Sequence, residues 1–252
     1  MTLVISLAAC STVPLTGRKQ LSLVDESQIQ EQSTKAYSTF LSDPKTKVIS
    51  NSSDAQRVKS IGGKIATAIS SYMKSNGYGN QYDYKWEFNL VESKDINAWC
   101  MPGGKVAVYT GILPVTQTDA GLATVMGHEI AHAIAHHSAE QASHSSVAEL
   151  GGGLLGAATG SESLVKLYGL GGQLALLKYS RNQESEADRL GLIFMSMAGY
   201  DPGNAVTFWQ RMSSANQGNG APPEFLSTHP SDATRISAIQ KRLPEARKYL
   251  KK

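Results

Sequence analysis

Residues 118–137 read TDAGLATVMGHEIAHAIAHH, and the reading of this stretch decides the fold. Leu122, Val125, Met126, Ile130, Ala133 and Ile134 recur at three-and-four spacing, which predicts a helix packed on a core. Thr118 or Asp119 can cap its start, because a short side-chain oxygen there accepts an orphan backbone N–H. On that helix His128 and His132 stand one turn apart and project from the same face. Two neutral imidazoles at this spacing can bite one zinc ion, and Glu129 then points at the water the ion holds. Zinc with three protein ligands lowers the pKa of its water towards about 7. A carboxylate beside it can take the proton as a polarised carbonyl is attacked and return it to the leaving amine. The competing reading is a helix with two incidental histidines and a surface glutamate, but two unpartnered imidazoles in a buried helix are hard to satisfy.

The chain has 252 residues, 41% hydrophobic and 18% charged, enough for one sizeable core and a small appended piece. A net charge of +3 without a basic cluster of interleaved aromatics leaves nucleic-acid binding with no electrostatic footprint. No apolar run reaches the roughly 18–20 residues of a membrane-spanning helix. Met1 to Ala9 is an apolar stub ending in Leu7-Ala8-Ala9, followed by Cys10 and Ser11. This resembles a bacterial lipoprotein lipobox, with the departure that no Lys or Arg precedes it. A frayed apolar N-terminus is the alternative. On the lipobox reading Cys10 is lipidated, Cys100 has no intrachain partner, and no structural disulfide is expected. The address that follows is the bacterial periplasm, with a lipid anchor in the outer membrane in preference to the inner. The expected division is a signal remnant at 1–9, a lipidated cysteine and tether at 10–25, and one domain at 26–252.

Asp25 to Leu41 has helical spacing broken by Asp43-Pro44. Asp54 is the expected cap of a second helix through Ser75, with Val58, Ile61, Ile65, Ile69 and Tyr72 on one side. Tyr82 to Val91 alternates like a strand. Asp95 to Met101, Pro102-Gly103-Gly104 and Lys105 to Thr110 read as strand, turn and strand. Val106 and Val108 face one way, and Lys105, Ala107 and Tyr109 the other. This hairpin precedes the His128 helix, so either its edge pairs with an extended peptide or it is core sheet with a covered edge. Between Val147 and Leu177 the glycine-rich segment reads as a mobile cover or as two short helices packed through small residues. Glu184 to Met197 is a clear helix. Asp201-Pro202 starts the next, and His229-Pro230-Ser231 leads into a last one with Ile236, Ile239 and Leu243.

A third ligand is sought on the helix that opens Glu184, Ser185, Glu186, Ala187, Asp188. A glutamate on a second helix completes such a site, and an aspartate one turn on can hold a ligand histidine by its other ring nitrogen. Glu184 and Asp188 fit these roles, though acids at a helix start are also ordinary. Glu186 reads as a solvated surface charge. His136 is a rim, interior or supporting residue, His137 and His144 read as solvent-facing, and Cys100 as a small core residue.

These pieces resemble the zinc metallopeptidases that include HtpX, BepA, LoiP and the CAAX prenyl proteases. The resemblance runs from Asn97 to Arg235. It rests on Asn97-Ala98, Pro102-Gly103-Gly104, Val108-Tyr109-Thr110-Gly111, the His128 motif, Ser180-Arg181 with Glu184, Ala187 and Asp188, and His229-Pro230 with Arg235. It implies one zinc per chain on His128, His132 and Glu184, with Glu129 as general base. It also implies a place near the metal for His229, as substrate donor or resting-state cap, and a carbonyl-orienting or oxyanion role for Arg235. Without the resemblance, His229 before a proline reads as a turn-stabilising loop residue.

The expectation is an α+β zincin-like peptidase, mainly helical, with a small sheet or hairpin beside the active-site helix. It would cleave polypeptides, misfolded envelope proteins among them, in periplasmic quality control. A zinc-stabilised chaperone or assembly factor with a closed, weakly proteolytic site is the alternative.

Overall fold

The computed structural model describes residues 10–82, 84–151, 179–215, 224–229 and 233–251. The expectations for 1–9 and for the glycine-rich segment after 151 lie outside the described residues. Among the described residues the fold is α+β and mainly helical. The strands are β1 (Cys10–Thr12), β2 (Lys19–Leu21), β3 (Val48–Ile49), β4 (Glu87–Val91), β5 (Ala98–Met101) and β6 (Lys105–Tyr109). The helices are α1 (Glu26–Ser42), α2 (Ser53–Ser75), α3 (Leu113–Thr116), α4 (Asp119–Ile134), α5 (His137–Gly151), α6 (Arg181–Met197), α7 (Asn204–Ala215), α8 (Glu224–Thr228) and α9 (Ala233–Ala246). No helix among these residues is long and apolar enough to cross a membrane.

Strands β3, β4, β6 and β5 form one sheet in that order. β5 and β6 are antiparallel, joined through Gly103 and Gly104 at φ +80° and +83°, a left-handed pair that glycine adopts without a steric penalty. β4 and β6 are parallel, a pairing that local alternation cannot announce. The strand expected from Tyr82 begins only at Glu87, because Tyr82, Tyr84 and Trp86 pack as a ladder of rings before the sheet starts. The pleat separates the two faces as read from the sequence. Val106 and Val108 join α2 and α4 in the main core, while Ala107 meets Tyr37, Trp99 and Met101 under α1. Tyr37 fixes that second layer by donating to the Val106 carbonyl at 2.7 Å.

The caps follow the sequence with one correction. Asp25 caps α1 and Thr118 caps α4, whereas Ser52, not Asp54, caps α2, leaving Asp54 in the first turn where an acid still favours the helix dipole. Helix α6 starts earlier than expected, at Arg181, with Ser180 and Gln183 forming a capping box.

Helix α4 is buried on all sides from Gly121 to Ile134, not on one stripe. α2, α6, α7 and β5 surround it, and α6 packs against it most extensively. Its polar positions therefore face an interior site. The segment expected to be a tether instead pairs as a two-stranded hairpin, β1 against β2, whose Arg18 reaches into the interior beside α5 and α6.

Candidate metal centre

Helix α4 presents His128 and His132 one turn apart, and their Nε2 atoms lie 3.1 Å from each other. Helix α6 brings Glu184 opposite them, with Oε2 at 3.5 Å from His128 Nε2 and Oε1 at 3.4 Å from His132 Nε2. The turn after α8 adds His229, whose Nδ1 is 3.2 Å from His128 Nε2 and 2.8 Å from Glu184 Oε1. All four residues are buried, and their donor atoms lie within 4.8 Å of one another. Four donors about 2.0–2.1 Å from a tetrahedral zinc stand about 3.3 Å apart, so this cluster has the spacing such an ion requires.

The donor chemistry fits as well. His128 Nδ1 faces Asp188 Oδ1 at 3.1 Å, a contact that holds the ring by Nδ1 and turns Nε2 towards the other donors. His128 Nε2 thus faces a second imidazole and a carboxylate, a donor set suited to a cation. Glu184 is held far below the usual carboxylate range by the imidazoles of His229, His128 and His132, which outweigh burial, so it is an anion at neutral pH.

Glu129 sits next to His128 at 3% exposure, and burial pushes its carboxyl up to about 7. Its Oε1 makes no hydrogen bond, and the nearest cation-forming group is His229 Nε2 at 3.5 Å. A buried carboxyl titrating near neutrality beside such a cluster suits proton transfer.

Arg235, on α9, holds the back of the site. Its Nε donates to Asp188 Oδ2 at 2.9 Å, Nη2 to Asp188 Oδ1 at 2.8 Å, and Nη1 lies 3.2 Å from Glu184 Oε2. The guanidinium lies 3.6 Å over the Trp209 ring, which covers it. A side chain gripping two carboxylates in this way keeps ligand and supporting acid in place.

Several residues depart from their sequence reading. His137 is fully buried, not solvent-facing, and its two ring nitrogens meet His132 Nδ1 at 2.8 Å and Glu186 Oε2 at 3.0 Å. Glu186 is buried, not a surface charge, and takes Arg18 Nε at 2.6 Å. His136 is half-buried at the α4–α5 corner, at φ +55°, with Tyr84 Oη 3.0 Å from its Nε2 and Glu26 Oε2 3.3 Å from its Nδ1. His144 is exposed and Cys100 buried, both as expected. Cys10 is exposed at the start of β1. Tyr179, absent from the sequence reading, stacks on His132 with centroids 4.0 Å apart. No local pattern marks it, because a lone tyrosine just before a helix has no periodicity.

Strand β5 is the outer strand of its sheet and packs on α4. Just before it, the Ile96 carbonyl accepts from Phe225 N at 3.1 Å, so the segment that carries His229 docks on this edge.

A sequence profile of peptidase family M48 matches residues 53–243. The mitochondrial metalloendopeptidase OMA1 of Schizosaccharomyces pombe is 41% identical over 65% of this chain and 48% of its own length. The mitochondrial metalloendopeptidase OMA1 of Bos taurus is 32% identical over 93% of this chain and 46% of its own. The beta-barrel assembly-enhancing protease of Escherichia coli is 28% identical over 71% of this chain and 40% of its own. The chain thus spans about half the length of the curated relatives it matches. These relatives overturn the periplasmic address: the one at 41% identity and the one covering 93% of the chain are mitochondrial proteins. A nine-residue apolar stub before a cysteine is too short a pattern to outweigh similarity over 93% of the chain.

Proposed function

The chain belongs to peptidase family M48, and from that premise we propose that it is a zinc-dependent endopeptidase hydrolysing polypeptides with an activated water. The observation that carries the reading is the convergence of His128, His132, Glu184 and His229 beside the buried carboxyl of Glu129. Bound zinc supplies a Lewis acid that polarises the scissile carbonyl and makes water acidic. Glu129 takes the proton from the attacking water and returns it to the leaving amine. Asp188 holds the His128 ring by Nδ1, and Arg235 holds Asp188 and Glu184. We assign Arg235 to these carboxylates and not to the oxyanion, since three of its nitrogens already face them.

His229 would add a fourth protein donor, where a catalytic zinc site carries three protein ligands and a water. On this reading the conformation is a resting one, and turnover would require His229 to withdraw from His128 and Glu184. Its segment is held to the edge of the sheet through Phe225 N and Ile96 O, so substrate pairing along that edge competes with closure. The closed donor set also favours the second reading, an assembly factor with weak proteolysis. Relatives named as beta-barrel assembly-enhancing proteases support polypeptides of barrel assembly as the substrate class.

Zinc content and casein cleavage of the wild type beside Glu129→Gln test the proposal. One zinc in both proteins, with cleavage only in the wild type, supports peptidase and base together. Zinc in both without cleavage favours the closed assembly factor. Folded protein that binds no zinc sinks the metal centre.

A further inference from the structure

The interior behind His132 contains more ionisable groups than a zinc ligand needs. Arg18, from the β1–β2 hairpin, forks onto Glu140 of α5 with Nη1 at 2.6 Å from Oε1 and Nη2 at 2.9 Å from Oε2. Its Nε reaches Glu186 Oε2 on α6 at 2.6 Å, and the Thr16 hydroxyl donates to Glu186 Oε1. Gln183 donates to Glu140 Oε2 at 2.8 Å and Gln20 accepts from Arg18 at 2.9 Å. Glu186 Oε2 also meets His137 Nε2, and His137 Nδ1 meets His132 Nδ1. One unbroken line of contacts therefore runs from the hairpin to the ring that offers Nε2 to the metal centre.

We propose that the N-terminal hairpin sets the tautomer of His132, with Arg18 and Thr16 fixing Glu186, Glu186 fixing His137, and His137 fixing His132. Rings and carboxylates have definite donor capacities, and with His137 neutral these leave one consistent arrangement. Glu186, gripped by a guanidinium and a hydroxyl donor, is an acceptor. It therefore takes the proton of His137 Nε2. A fully buried neutral imidazole has a single N–H, so His137 Nδ1 is a lone pair and can only accept. The proton between the two Nδ1 atoms then belongs to His132, whose Nε2 keeps its lone pair for a metal. The reverse polarity would point a bare His137 Nε2 at an anionic oxygen 3.0 Å away. Asp188 does the same for His128 in one step; for His132 the anion stands one ring further off. Arg18, Thr16, Glu186 and His137 are thus positioning residues, and a hairpin remote in sequence is part of the metal centre.

The inference rests on His132 being a metal donor, and its test separates the two ideas. Ring-nitrogen NMR of the metal-free full chain reads the tautomer directly, and competition against a zinc-binding indicator reads affinity. The wild type is expected to carry the His132 proton on Nδ1. In His137→Phe and Arg18→Gln that proton shifts towards Nε2, and zinc affinity falls about 10–100-fold, as for other groups that orient a ligand from behind. Arg18→Lys, which keeps the charge but not the fork, restores part of both. If Arg18→Gln does not fold, Thr16→Val removes a donor from Glu186 without baring a charge and is read the same way. An unmoved tautomer with affinity within about twofold of wild type, even alongside lower thermal stability, overturns the proposal. Absence of zinc binding in the wild type overturns the metal reading instead, while the spectra still decide this one.

Discussion

Gly127 on α4 and Gly191 on α6 touch backbone to backbone: a β-carbon on Gly191 would stand 2.9 Å from His128 N, and one on Gly127 2.9 Å from the Gly191 carbonyl oxygen. Both separations are shorter than real β-carbon contacts, so only glycine permits this approach. The approach sets how far Glu184, two turns before Gly191 on the same helix, stands from the two histidines.

Gly191→Ala should therefore act on the metal centre without touching it. The methyl group forces the helices apart, at a cost of about 1–3 kcal/mol for overpacking. Zinc affinity should fall with it, because Glu184 retreats from His128 and His132. Thermal melting and indicator competition on the same samples check both effects; a lower melting temperature with unchanged zinc affinity would show that the crossing does not set the donor spacing.

Asp188→Asn leaves shape nearly constant and removes the anion facing His128 Nδ1. Zinc affinity should drop about 10–100-fold. Stability should fall too, by about 3–5 kcal/mol, since Arg235 stays buried with half of its partners gone. Urea titration and zinc competition give the two numbers independently.

His229→Ala tests the closed conformation. Loss of one of four donors should weaken zinc binding about tenfold or more, whereas Glu129→Gln should stay within about twofold of wild type. Equal affinities in the two variants would remove His229 from the donor set.

Glu26 supplies a pH dependence away from the metal. Burial pushes its carboxyl from 4.5 up to about 7, so the fold favours the protonated form. That contribution is complete below pH 4.5 and is lost as pH rises through 7. Its neighbour His136 is pushed by burial from 6.5 down to about 4, so its contribution is present above 6.5 and lost as pH falls towards 4. Glu26→Gln should remove the first slope: the variant gains on the wild type as pH rises from 4.5 to 7, by about 3 kcal/mol at most, and the gap then stays flat. Urea midpoints at pH 5 and pH 8 measure it, and a gap equal at both would refute the burial cause.

What the sequence disclosed is what local spacing encodes. His128, Glu129 and His132 share one turn, so helix and motif could be read together. The β5–β6 hairpin was legible because its turn needs glycine at Gly103 and Gly104. Glu184 and Asp188 were legible only beside the His128 motif, since acids at a helix start are ordinary until a partner helix gives them a role. Glu186 and His137 were misread as surface residues because their partners are remote in the chain: Arg18 reaches Glu186, and Glu186 meets His137. The parallel pairing of β4 with β6 was hidden for the same reason: it joins strands with β5 between them in the chain.

The separation of the four donors along the chain has a consequence for how the protein comes into being. His128 and His132 lie within one turn, but His229 lies 45 residues beyond Glu184 and 101 beyond His128. A nascent chain with only its middle helices formed holds two or three donors and grips metal weakly. Full affinity arrives when the C-terminal part has docked, so the free energy of metal capture becomes free energy of folding. The same late step seats His229, so on the proposed reading closure of the donor set and completion of the fold coincide.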